Sequence, residues 1–100
     1  MWIFTNQGFV SIVEKPKGSF MVRARNKQHL ESLFPGKKII ETRAADYRWR
    51  CIIDQKQLTA FMTRLSTSID YDNFKNSIED HAYHGACSKV WGVMNAYQER

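Results

Sequence analysis

Residues 2–25 read Trp-Ile-Phe-Thr-Asn-Gln-Gly-Phe-Val-Ser-Ile-Val-Glu-Lys-Pro-Lys-Gly-Ser-Phe-Met-Val-Arg-Ala-Arg. Aromatic and β-branched side chains dominate this stretch and turn signals interrupt it twice, so it predicts strands where a helix would need a longer period. The strands expected are Trp2–Thr5, Phe9–Val13 and Ser19–Arg25. Asn6-Gln7-Gly8 makes the first turn. In the second, Lys15-Pro16-Lys17-Gly18, proline presets φ and glycine admits a positive φ. Connections this short favour an antiparallel meander.

Further along, Asn26 is a helix N-cap ahead of Leu30, Leu33 and Phe34 at helical spacing, and Pro35-Gly36 stops the helix. Lys38–Arg43 and Tyr47–Ile53 read as two more strands around Ala44-Ala45-Asp46. Asp54 then caps a second helix, with Gln57 in the capping-box position and Leu58, Phe61, Met62 and Leu65 on its apolar face. Residues 66–77 form a polar connector that Ile69, Tyr71 and Phe74 are expected to hold against the core. Asp80 caps a final helix reaching Gln98, whose apolar stripe is Tyr83, Ala86, Val90, Val93, Met94 and Tyr97. Gly85, Ser88 and Gly92 on another side leave room for a close neighbour. The order β-β-β-α-β-β-α-α predicts one α+β domain over residues 1–100, an antiparallel sheet with helices on one face in a ferredoxin-like variant.

Composition narrows the function. At 100 residues, 43% hydrophobic and 25% charged, the chain has the mix of an ordinary globular protein and needs most of its apolar residues for one core. No apolar run approaches the roughly 20 residues of a membrane span, and Met1–Thr5 resembles no secretory signal, so a cytoplasmic protein is expected. Cys51 and Cys87 are expected as reduced, buried thiols, since their spacing suggests no disulfide framework. Residues 1–50 hold ten Lys/Arg against four Asp/Glu, whereas residues 51–100 hold five against six. The positive field therefore belongs to the first half and favours an anionic partner, either nucleic acid or an acidic protein surface.

Two strands sharpen that expectation. Alternation in Ser19–Arg25 puts Arg23 and Arg25 opposite Phe20, Val22 and Ala24, and in Tyr47–Ile53 it puts Arg48 and Arg50 opposite Tyr47, Trp49, Cys51 and Ile53. With Lys37 and Lys38 in a nearby turn, these residues form the candidate anion-binding surface, since guanidinium offers planar bidentate donors that stay charged. Exposed strand arginines also serve solubility and block edge pairing. On this register Tyr47 and Trp49 face away from the arginines, which leaves the surface without the stacking aromatics of a nucleic-acid reader.

Other constellations carry less. His81, His84 and Cys87 step by three along the last helix, but a structural zinc site needs a ligand from a second element and their spacing matches no zinc signature. Cys87 with His84 lacks an oxyanion-hole motif, and Asp70-Tyr71-Asp72 lacks the glycine and distal glutamate of a calcium loop. The glycines make neither a P-loop nor a dinucleotide fingerprint. No catalytic residue, metal or cofactor is assigned.

Met1–Thr5 with Gly8–Val13, Val22-Arg23-Ala24-Arg25, Leu33-Phe34-Pro35-Gly36, Asp46-Tyr47-Arg48-Trp49-Arg50, residues 69–75 (Ile-Asp-Tyr-Asp-Asn-Phe-Lys) and Val90-Trp91-Gly92-Val93-Met94 together resemble a family of short, uncharacterised bacterial and phage proteins. The resemblance brings no activity, and implies a free-standing small protein. The reading that follows is a non-enzymatic module docking a basic sheet face onto nucleic acid or a nucleoprotein, as an anti-CRISPR-like inhibitor of host defence would. The alternatives are a metal-independent RelE-like ribonuclease using Arg48, Arg50, His81 or His84, and a structural homodimer.

Overall fold

Alternating side chains build a five-stranded antiparallel sheet, seen in a computed structural model that describes residues 1–99. The strands are β1 (Trp2–Thr5), β2 (Gly8–Glu14), β3 (Phe20–Ala24), β4 (Ile40–Glu41) and β5 (Trp49–Ile53). Helix α1 (Lys27–Leu33) lies between β3 and β4, and α2 (Gln55–Thr67) follows β5. A 3-10 turn (Lys75–Ser77) and α3 (His81–Tyr97) complete the order. This is the α+β class that the sequence predicts. Across the sheet the strands run β1-β2-β3-β5-β4, every neighbour antiparallel.

The chain divides into two compact units, Met1–Asp70 and the segment from Tyr71 onward. In the first, one face of the sheet buries Val10, Ile12, Val22, Ala24, Cys51 and Ile53 against Leu30, Leu33 and Phe34 of the α1 region and Phe61 of α2. Phe34 and Phe61 meet with ring centroids 4.4 Å apart. Burying side chains of this size stabilises by about 1.5–3 kcal/mol each, so this layer holds the sheet unit together. Asn26 caps α1 through Gln28 N–H. Asp54 accepts from Gln57 N–H at 2.8 Å while its own N–H donates to the Gln57 side chain at 2.9 Å, closing the capping box of α2.

Several expectations are corrected. The strand expected over Lys38–Arg43 pairs only at Ile40–Glu41, and the one expected from Tyr47 begins at Trp49. Leu58, Phe61 and Leu65 of the predicted α2 face pack on the core, but Met62 is exposed, and Ile69 is exposed and does not hold the connector. In the second unit Asp80 caps α3 through Tyr83 N–H, and Tyr83 and Cys87 are buried. The rest of the predicted stripe, Ala86, Val90, Val93, Met94 and Tyr97, is exposed.

One contact couples the sheet to α1. Pairing of β2 with β3 begins at Ser11, so the Phe9 N–H has no strand partner. It donates to His29 Nδ1 at 3.1 Å, which requires that nitrogen to be unprotonated. The His29 ring fits there because Gly8 has no side chain: a Cβ on Gly8 would sit 2.5 Å from the ring. We expect Gly8→Ala to destabilise by about 1–3 kcal/mol through overpacking, and His29→Ala by a similar ~1–3 kcal/mol through the orphaned amide. In urea unfolding the double variant should lose less than the two losses added, because removing the ring removes the clash.

Candidate binding face

The second face of the sheet carries no helix of its own unit, because α1 and α2 both pack on the first. Strand register defines it. Residues directly opposite one another point the same way, so Trp2, Ser11, Arg23, Arg50 and Ile40 form one row across all five strands. Phe4 and Phe9 pair on one side of this row, and Val13, Met21 and Ile52 line up on the other. None of these rows contains a carboxylate.

Arg23 and Arg50 are cross-strand partners at the middle of that face. Like charges so placed repel, and neither has a carboxylate partner among the described residues. Arg23 Nη2 donates to the buried Ser11 hydroxyl at 2.8 Å, and Arg50 Nη2 to the Tyr47 carbonyl at 2.7 Å. The Nε of each is buried without an acceptor. A buried donor left unpaired costs about 1–3 kcal/mol, so the sheet carries this pair at a cost.

Tyr47 overturns the sequence register. It lies in the turn before β5, outside the ladder, and folds onto the arginine face. Its ring, 4% exposed, has the guanidiniums of Arg23 and Arg25 at 4.6 and 4.1 Å from its centroid. Phe9 approaches it with a centroid separation of 6.5 Å. Arg25 also holds the turn by donating to the Asp46 carbonyl and carboxylate. Alternation could not have revealed this, because it applies only to residues inside the ladder. Trp49, by contrast, does face the helices, packed against the core.

The remaining predicted residues separate from this group. Arg48 is engaged by Glu41 at 2.6 Å and lies 5.0 Å from the Trp49 ring. Lys37 belongs to the helix side, lining a cleft of about 330 Å³ with Phe34, Ile53 and Arg64. Lys38 is exposed in the segment before β4. The structure therefore brings Arg23, Arg25 and Arg50 together and places Arg48 and Lys37 elsewhere.

What sequence reading missed is an aromatic cluster beside the arginines. Phe4 stacks on Phe9 at 4.4 Å, and Trp2 meets Phe9 edge-on at 5.9 Å. Trp2 is 69% exposed. The available signal was that Trp2 and Phe4 share one side of β1, the side that Phe9 takes on β2.

In the second unit His81 is exposed and His84 half-buried on α3. Burial pushes the Cys87 thiol up, as it does that of Cys51, so both free cysteines are held protonated. Burial, with help from Cys87, also raises the Tyr83 hydroxyl. Among the described residues no group of three or more His, Cys, Asp or Glu could hold a metal. No helix among them is long and apolar enough to cross a membrane.

Replacing Tyr47 by Ala should cost roughly 3 kcal/mol in urea unfolding, since a packed ring is lost from between two guanidiniums. The turn also titrates predictably. The Arg48 hydrogen bond, aided by the charges of Arg48 and Arg43, holds the Glu41 carboxyl below its ordinary range. A depressed folded-state pKa means that the pair contributes above the unfolded value and is lost as pH falls through the folded one. An NMR titration of Glu41 should therefore show a low midpoint that moves back up in Arg48→Gln. Compared with known families, curated proteins and solved structures, the chain shows no match.

Proposed function

We propose that this chain is a binding module without catalytic chemistry of its own, docking the second face of its sheet onto an anionic macromolecule, either nucleic acid or an acidic surface of a nucleoprotein. The observation that carries this reading is the Arg23–Arg50 pair, set side by side in the sheet with no carboxylate to neutralise it. An anion bridging the two would relieve their mutual repulsion. Arginine is suited to the task because its planar fork binds phosphate or carboxylate oxygens in pairs. The exposed Trp2 and the part-buried Met21 beside them are residue types that recur at interface centres. A phage or mobile-element inhibitor of a host defence complex would work through such a face.

The test is a salt series. Affinity for a labelled polyanion should fall with salt at a log–log slope of about −0.7 to −0.9 per contacted phosphate. Arg23→Gln and Arg50→Gln should each reduce that slope by about one, in protein whose thermal melt shows it folded. Affinity that is indifferent to salt would overturn the proposal.

A further inference from the structure

The second sheet face carries more than charge, and resting on the reading above, we infer that its ligand is single-stranded nucleic acid, with bases stacking on Trp2 and Phe4 and phosphates held at Arg23 and Arg50. A basic face alone would suit an acidic protein equally well. What separates the two is the arrangement of the rings. Trp2 and Phe4 stand two residues apart on the same side of the edge strand β1, about 7 Å along it. Phe9 braces both, stacked on Phe4 and edge-on to Trp2. Trp2 is thus a largely exposed aromatic surface with one edge against Phe9, at the β1 end of the same row that contains Ser11, Arg23 and Arg50.

An acidic peptide would use the guanidiniums and leave the rings idle. A duplex would use them too, but its bases are stacked on each other and offer no face. Only a single strand presents flat apolar faces and regularly spaced anions together, and stacking on aromatics is its usual mode of sequence-tolerant binding. Arg23 adds to the match, because its guanidinium is already placed by the Tyr47 ring, 4.6 Å from its centroid, and by its hydrogen bond to Ser11.

The experiment compares three probes of equal length on the whole chain by anisotropy: a labelled oligothymidine, the same length of duplex DNA, and polyglutamate. The oligothymidine should bind most tightly. Trp2→Ala should weaken it roughly 5- to 100-fold, the range for loss of one stacked base, while leaving the salt slope unchanged, because stacking releases no counterions. Trp2→Phe should restore most of the affinity. Trp2 is exposed, so neither variant threatens the fold, and a melting curve checks this. Tighter binding of duplex or polyglutamate, or an oligothymidine affinity indifferent to Trp2→Ala, overturns the inference. If polyglutamate binding requires Arg23 while oligothymidine does not bind, the inference fails and the basic docking face stands. If no probe binds, both fail.

Discussion

A five-stranded sheet has two faces, and the sheet unit has helices for only one. Everything distinctive about this chain follows from that shortfall. Helices α1 and α2 cover the face built from Val10, Ile12, Val22, Ala24, Cys51 and Ile53. The other face has no helix of this unit over it. It carries arginines, which stay charged at any working pH, and aromatic rings that pack against one another at the sheet edge.

Within that face the arginines do two jobs at once. Arg25 and Arg50 tie down the turn before β5 through the backbone of Asp46 and Tyr47, and Arg23 with Arg25 flanks the Tyr47 ring. The turn in turn screens part of the sheet face that α1 and α2 leave bare. This self-engagement consumes some donors but little charge, because only Arg25 meets a carboxylate, and that pair is exposed and weak. The positive charge of Arg23 and Arg50 remains available where the two strands meet.

Much of this was legible in order along the chain. The hairpin strands, the caps at Asn26, Asp54 and Asp80, and the alternation in Phe20–Ala24 are local signals, and each element formed where its signal lay. Legibility failed where local rules end. Tyr47 lies one turn outside the ladder, so period two assigned it to the wrong face. Glu41 and Arg48 are far enough apart in sequence that only the β4–β5 pairing shows one neutralising the other. The stripe on α3 has a correct helical period, yet period states which residues share a side and not whether anything covers them.

The sequence by itself determined the element types, their order, the surplus of positive charge in the first half and the absence of known catalytic patterns, because all of these depend on neighbours within a few residues. Only tertiary structure decided that Arg23 stands opposite Arg50, that Arg48 is spent on Glu41, and that Trp2, Phe4 and Phe9 meet beside them. Those facts depend on strand register and on which strands adjoin. Side chains distant in the chain become neighbours only when the backbone ladder closes, and no local pattern carries that information.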